Sequence, residues 1–246
     1  MMEYTGRIVR GRSKIQSEYS PFLSDEARIS PSVPELLYFP ETTEEVSLAL
    51  AECTAAGMAV TVSGGRTGIG GGAVPSDPSA AVISLEHLQP QAEVNWNETH
   101  QTWSARVGAG LKVQDFLTIL KQKRYTSERE TPAGLFFPVD PTETSATLGG
   151  MAATNASGAR TLYYGAMRKW VLGLTAVLAD GTVVTLRRGE HVSRGNDAGN
   201  GTLIVHGTKA GLQSGDAEIT IPITPVSIPP TKHTAGYYLT ENTDAV

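Results

Sequence analysis

Apolar positions recur with helical spacing in two segments of the chain. In the first segment they are Val46, Leu48, Leu50, Ala51 and Ala55. Thr42, with Glu45 three positions later, predicts a capped start for this helix, and Gly57 is typical of the position just after a helix ends. The second segment predicts a helix over Lys112–Lys121, with its apolar side chains at Val113, Phe116, Leu117 and Leu120.

Short apolar or alternating runs predict strands before, between and after these helices. The predicted strands cover 59–62, 80–84, 101–107, 172–178, 182–186, 202–205 and 218–221. The sequence Ala179-Asp180-Gly181 is a turn signal and predicts a hairpin between two of them. Residues 1–33 show no sustained periodicity, and we expect them to wrap the surface.

Glycine is concentrated in one loop, TVSGGRTGIGGGAVP, which spans Thr61 to Pro75 and follows a predicted strand. Seven of the 26 glycines lie between Gly57 and Gly72. Without a Cβ, glycine lets the main chain approach a ligand closely, and successive bare N–H groups form an anion-binding concavity. The loop therefore predicts a diphosphate cradle; the alternative is a glycine-rich surface turn.

The loop fits neither of the two common phosphate-binding motifs. A P-loop requires a Lys at its end, and none follows. Residues 68–73 match the G-x-G-x-x-A dinucleotide pattern, but that pattern requires a helix directly after it, and Pro75 and Pro78 oppose one. We interpret the match as accidental.

A second segment, Asp140 to Gly158, reads DPTETSATLGGMAATNASG and is rich in small and hydroxyl residues. Ser and Thr hydroxyls donate hydrogen bonds to phosphate oxygens, and small side chains let main-chain N–H groups reach them. The alternative is an ordinary polar loop. Two segments of this kind in one chain favour a phosphate-bearing ligand.

Composition excludes several classes of protein and site. The 246 residues carry a net charge of −5, so the sequence has no electrostatic footprint for nucleic acid. No apolar run reaches the length of a membrane span, and residues 1–14 do not form a signal peptide, so we expect a cytoplasmic protein. Cys53 is the single cysteine, and no pair of the five histidines has metal-ligand spacing, so we predict no metal site. No nucleophile–base pair identifies a catalytic residue.

Several further segments, taken in order with the two loops, carry a resemblance to a known family. They lie at 39–46, 64–68, 71–75, 107–110, 138–150, 155–158, 164–165, 171–174 and 179–181. Their order and spacing resemble the FAD-binding domain of the vanillyl-alcohol oxidase / p-cresol methylhydroxylase superfamily, and most of all the glycolate oxidase flavin subunit and D-lactate dehydrogenase type. The resemblance covers roughly residues 34 to 188.

The resemblance implies an α+β fold in two FAD-binding subdomains. One is small and contains a βαβ unit; the other has a larger mixed or antiparallel sheet with helices. We expect a surface segment at 1–33, the first subdomain at 34–107, and the second, incomplete at its C-terminus, at 108–246. The implied FAD-binding residues are Ser63, Gly64, Gly65, Arg66, Thr67, Gly68, Asp140, Pro141, Thr142, Ala146, Thr147, Gly149, Gly150, Thr154, Asn155, Ala156, Ser157 and Gly158.

The implied function is that of a flavoprotein oxidoreductase that oxidises a 2-hydroxy acid or similar alcohol by hydride transfer to FAD. No histidine stands in the first loop, so we expect the FAD to be non-covalent. Residues 232–237 resemble a late element of the family, yet the chain ends at Val246 before the family's substrate domain. We therefore expect this part alone to be inactive and a partner chain or domain to supply the substrate site. Two alternatives stay open: a non-catalytic flavin-binding subunit, and an enzyme like the enolpyruvyl-glucosamine reductases.

Overall fold

The computed structural model describes residues 4–89, 91–127, 134–195, 201–209, 217–224, 226–227, 244 and 246. The strands in these ranges are β1 Arg7–Arg10, β2 Leu36–Phe39, β3 Val60–Ser63, β4 Ala81–Ser84, β5 Ala92–Asn97, β6 Thr102–Val107, β7 Gly173–Val177, β8 Thr182–Arg187, β9 Arg194–Gly195, β10 Gly201–Lys209 and β11 Ala217–Ile223. The α-helices are α1 Arg12–Glu18, α2 Thr43–Ala55, α3 Val113–Lys121, α4 Leu148–Ala153 and α5 Thr161–Tyr164, with 3-10 turns at Ser20–Leu23 and Met167–Trp170.

The first sheet has the strand order β1-β2-β4-β3. Strands β2, β4 and β3 run parallel, and β1 pairs antiparallel with β2. All residues of β2 and β4 are buried, which agrees with their continuous apolar sequences, because parallel strands covered on both faces need no polar positions. The carboxyl ends of β2, β3 and β4 meet at one edge, and the glycine loop leaves the sheet there.

Helix α2 covers one face of this sheet, where Ala49 and Cys53 pack against Tyr38 and Ile83. The Thr42 hydroxyl accepts a hydrogen bond from the Glu45 N–H at 3.2 Å, so the predicted N-cap is confirmed. The Glu45 carboxylate accepts from the N–H of Glu41 at 2.7 Å, one residue earlier than in a capping box.

The N-terminal residues cover the other face, which differs from the expectation of a surface segment over 1–33. Strand β1 adds to the sheet, and Ile15 and Leu23 are buried against Leu37 and Phe39. The segment has too few residues in each element to show a periodicity, because β1 and α1 are only 4 and 7 residues long.

The later strands form an antiparallel sheet of order β11-β10-β8-β7, with β9 paired to β10. The predicted hairpin is confirmed as β7 and β8, and its turn rests on α2. The Ser47 hydroxyl donates to the carbonyl of Gly181, and the Thr54 hydroxyl donates to that of Ala179. Gly181 has a φ of +83°. The late element predicted at 232–237 lies outside the described residues.

Strands β5 and β6 form a hairpin whose inner side chains join the core around α3 and α4. Val94, Leu111, Phe116 and Met151 belong to one buried cluster. The expected boundary at residue 107 therefore cuts through a shared core, and we propose that the hairpin belongs with the second subdomain. None of the helices in the described ranges combines the length and apolar character that crossing a bilayer requires.

Candidate flavin site

The glycine loop leaves β3 at the carboxyl edge of the parallel strands, where ligands bind in open α/β sheets. Within the described part of the chain, the main-chain N–H groups of residues 65–73 donate no hydrogen bond. The run ends at Val74, whose N–H donates to the carbonyl of Gly71 at 3.1 Å. Nine successive N–H groups are thus available to an acceptor that the protein does not supply.

Three glycines leave the main chain of this loop uncovered at alternate positions. A Cβ built on Gly68, Gly70 or Gly72 meets no heavy atom within 4 Å. The intervening Ile69 is 84% exposed. Bare main chain with unused donors fits a diphosphate, because its oxygens accept hydrogen bonds and need close approach.

Arg66 is turned away from this bare surface and into the protein. Its guanidinium lies 3.7 Å from the Glu86 carboxylate and donates to the Gly64 carbonyl at 3.1 Å. It also donates to the Ser63 hydroxyl at 3.3 Å and stacks over the Phe22 ring at 4.4 Å. Arg66 has a φ of +57°, an uncommon conformation for a residue with a side chain. These contacts assign Arg66 and the buried Ser63 to the support of the loop.

The structure brings the two predicted loops into contact through Gly64 and Gly65. A Cβ on Gly64 would lie 2.7 Å from the Thr147 hydroxyl oxygen, and one on Gly65 would lie 2.6 Å from the Ser145 carbonyl oxygen. Gly65 does not have a positive φ. A side chain at Gly65 would therefore separate the loops, so this glycine serves the contact between them.

Much of the second segment is not a loop, because its main chain is paired with residues 109–114. Val113 N–H donates to the Ala146 carbonyl at 2.9 Å, and Gly149 N–H donates to the Ala109 carbonyl at 3.0 Å. Helix α4 then begins after Thr147, whose hydroxyl accepts from the Gly150 N–H at 3.3 Å.

Several side chains of this segment are likewise buried or hydrogen-bonded within the protein. Ala146 is buried in the core, and the Thr154 hydroxyl donates to the Gly150 carbonyl at 2.9 Å. Asn155 has a φ of +48° and accepts a hydrogen bond from the Arg168 N–H at 2.9 Å. The sequence pattern did not predict the pairing of this segment with residues 109–114, since the two stretches are distant in the chain.

The two ends of the second segment also meet. A Cβ on Gly158 would lie 1.4 Å from the Asp140 carbonyl oxygen, so only glycine fits there. The Asp140 carboxylate lies 3.4 Å from the Arg160 guanidinium. Arg66 follows the glycine pair of the first loop, and Arg160 follows the second segment. Each of these two cations is therefore paired with a carboxylate of the chain.

Some predicted site residues keep unused polar groups. The hydroxyls of Thr67, Thr142 and Ser157 have no hydrogen-bond partner within the described part of the chain. Together with the N–H groups of residues 65–73, they are among the donors that this region offers to a ligand. The cofactor contacts of the full predicted set stay a prediction.

Two pKa shifts bear on the chemistry of the chain. Burial raises the pKa of the Cys53 thiol, which is fully covered between α2 and the sheet, so this thiol is a poor nucleophile. Hydrogen bonds from the main-chain N–H and the hydroxyl of Ser145 hold the pKa of the exposed Glu143 below its ordinary value. No group of three or more His, Cys, Asp or Glu in the described ranges is arranged to hold a metal ion.

A depression of about 540 Å³ lies elsewhere, between the β5–β6 hairpin and α3. Asp115 and Arg124 are among its lining residues, and no residue of the two predicted FAD segments takes part. Glu86 and Phe22 are neighbours of the glycine loop that the sequence did not predict. Glu86 follows the end of β4 at the same sheet edge, and this position is the one sequence signal that could have identified it as a neighbour of the loop.

Comparison with known proteins places the region in one family. A family model described as an FAD binding domain matches residues 34–187. A D-lactate dehydrogenase of Archaeoglobus fulgidus is 40% identical over 147 residues, which is 60% of this chain and 30% of that protein. The mitochondrial D-2-hydroxyglutarate dehydrogenase of Rattus norvegicus is 34% identical over 181 residues, or 73% of this chain and 30% of that protein.

A solved structure supports the fold. The 6-hydroxy-D-nicotine oxidase of Arthrobacter nicotinovorans superposes with a TM-score of 0.58 at 17% identity, over 75% of this chain and 36% of that one. The chain thus spans about a third of the length of the proteins it resembles.

Proposed function

Since this chain belongs to the FAD binding domain family, we propose that it holds FAD non-covalently as the flavin-binding part of an oxidoreductase that oxidises a 2-hydroxy acid. When bound, FAD supplies the hydride acceptor, and the protein supplies binding and orientation. The 2-hydroxy acid class is supported by two relatives named for D-lactate and D-2-hydroxyglutarate.

One observation carries the binding proposal: the nine unused N–H groups of residues 65–73 at the carboxyl edge of the sheet. We place the FAD diphosphate against them because the open glycines leave the main chain uncovered. The hydroxyl of Thr67, and those of Thr142 and Ser157 in the second segment, complete the proposed donor set. The other residues named from the resemblance are expected to contact the cofactor, except Ser63, Gly65 and Arg66, whose observed contacts support the loop.

Non-covalent attachment is supported by the burial of the single cysteine and by the sequence of the glycine loop. Cys53 is fully buried on the face of α2 that packs against the sheet, and residues 61–75 contain no histidine. The substrate site, in this proposal, requires a partner domain or chain. The cytoplasmic location predicted from the sequence stays a prediction.

The test is a titration of the purified chain with FAD, followed by absorbance and by quenching of flavin fluorescence. We expect one FAD per chain, and weaker binding of riboflavin, which lacks the diphosphate. Acid precipitation should then release all of the flavin into the supernatant.

Equal affinity for FAD and riboflavin would contradict the diphosphate cradle. Flavin that stays on the acid precipitate would contradict non-covalent attachment. Absence of any FAD binding would remove the proposed function as a whole.

A further inference from the structure

Residues 12–32, which precede the region matched by the family, lie along the glycine loop near both of its ends. At the start of the loop, the Phe22 ring covers the Arg66 guanidinium at 4.4 Å. The same guanidinium has one nitrogen 3.7 Å from the Glu86 carboxylate. Arg66 is therefore enclosed between the N-terminal segment and the end of β4.

The same segment holds the returning arm of the loop. The Ile29 side chain covers Gly71, where a Cβ would come within 2.6 Å of the Ile29 Cδ1 atom. Ser32 donates from its N–H to the Pro75 carbonyl at 2.8 Å and from its hydroxyl to the Ser76 carbonyl at 3.0 Å.

One more contact lies further along this arm. The Arg12 guanidinium donates to the Pro78 carbonyl at 3.0 Å. The contacts at Gly71, Pro75, Ser76 and Pro78 engage four positions of the main chain that a free surface loop would leave to solvent.

The segment is itself fixed to the sheet, so it holds the loop against a rigid support. The Phe22 ring meets the Phe39 ring edge to face at 5.1 Å. Ile15 and Leu23 are buried in the same cluster as Phe39. The Phe22 ring contacts both β2 and Arg66, so it fixes the first residues of the loop relative to the sheet.

We propose that residues 12–32 are a clamp that positions the flavin loop, with Phe22, Ile29 and Ser32 as its positioning residues. The proposal rests on the proposed function, because it assigns the clamp to the same diphosphate cradle. A loop held in its binding conformation loses less entropy when the ligand binds, so the clamp raises the affinity for FAD.

The first test compares FAD dissociation constants of Phe22→Ala and Phe22→Tyr with that of the unaltered chain. Phe22→Ala should weaken binding by about three- to tenfold, the factor that corresponds to a lost cation–π contact. Phe22→Tyr keeps a ring over Arg66 and should bind FAD within about twofold of the unaltered chain. Thermal melting of each apoprotein shows which temperatures keep all three folded.

The second test uses two isoleucines that match in exposure, Ile29 at 50% and Ile204 at 48%. Ile29→Ala should weaken FAD binding, whereas Ile204→Ala, in β10 of the other sheet, should leave it unchanged. Hydrogen exchange of the apoprotein should become faster at residues 64–76 in Phe22→Ala and Ile29→Ala, and not in Ile204→Ala.

The outcomes separate the two proposals. If the unaltered chain binds FAD and Phe22→Ala and Ile29→Ala bind it equally well, the clamp is refuted and the proposed function stands. Equal losses in Ile29→Ala and Ile204→Ala would also refute the clamp, since the effect would then be general destabilisation. If the unaltered chain binds no FAD, both proposals are refuted.

Discussion

The two glycine-rich segments look alike in sequence, yet the structure uses their glycines in opposite ways. In the first, Gly68 and Gly70 face open space and their N–H groups have no acceptor in the described part of the chain. In the second, Gly149 and Gly158 lie against main-chain atoms of Ala109 and Asp140. Small residues thus serve ligand approach in one segment and close packing of the chain on itself in the other.

This difference shows that glycine content alone does not locate a ligand site. Gly64 and Gly65 belong to the first segment by position, but they behave like the second, because they contact Ser145 and Thr147. The packing glycines bring the segments together, and the open glycines provide the surface. A substitution therefore has a different expected effect in each group.

The largest expected effect is on stability, at Gly158. A Cβ in Gly158→Ala would lie 1.4 Å from the Asp140 carbonyl oxygen, so the main chain has to move. Overpacking of this kind costs about 3 kcal/mol of unfolding free energy. Gly68→Ala has open space and should change that free energy by less than about 0.5 kcal/mol. Urea denaturation of both variants measures the difference, and similar losses in the two would refute the division into packing and open glycines.

A smaller effect, on cofactor affinity, is expected at Gly68. The methyl group in Gly68→Ala would stand on the bare face and keep the FAD diphosphate from the main chain, so the dissociation constant should rise about tenfold. Gly134→Ala is the control, because its Cβ also meets no heavy atom within 4 Å and it lies outside both segments. Flavin fluorescence titration gives both constants. Unchanged affinity in Gly68→Ala would move the diphosphate away from this surface.

The smallest expected effect is on the pH dependence of stability. It involves one turn in the second segment and one turn just after the glycine loop. Glu143 accepts from the Ser145 N–H at 3.0 Å, and Asp77 accepts from the Ser79 N–H at 2.7 Å. These hydrogen bonds lower the pKa of both carboxyls below their ordinary values of 4.5 and 3.8. A lowered pKa in the folded state means that the carboxylate stabilises the fold above its ordinary pKa, and that this stabilisation is lost as the pH falls through the folded value.

The variants Glu143→Gln and Asp77→Asn should each make the acid side of the stability profile slightly less steep. For Glu143 the change begins below about pH 4.5, and for Asp77 below about pH 3.8. Melting temperatures between pH 3 and pH 7 measure it, and FAD affinity at pH 7 should not change. A flatter profile in one variant alone would show that the two turns are not equivalent.

Several elements were predictable because their signals are local. The Thr42 cap, the Lys112–Lys121 helix and the hairpin at Ala179–Gly181 are confirmed within one or two residues at their ends. The superfamily resemblance, the α+β fold and the FAD-binding class are confirmed by the family match and the structural neighbour. The cap, the helix and the hairpin each depend on residue types that are close together in the chain, whereas the resemblance depends on the order of short motifs over residues 34–188.

Strands β2 and β5 were also not predicted, and three further elements that were missed lack such signals. Strand β1 and helix α1 are short, and their burial depends on Phe39 and Leu37 some twenty or thirty residues later. Helix α4 begins inside a segment of small residues that has the composition of a loop, and its start is set by pairing with residues 109–114. Propensity is weak over six residues, so tertiary contacts decide the conformation.

The sequence by itself determined the family, the two longest helices, the β7–β8 hairpin, and the two segments where small residues collect. Only the tertiary structure decided which glycines face open space and which face another part of the chain. It also decided that Arg66 pairs with Glu86 and Phe22. The physical reason is that the role of a glycine depends on which atoms lie where its Cβ would be. In this fold the neighbour of Gly65 is Ser145, eighty positions away along the chain.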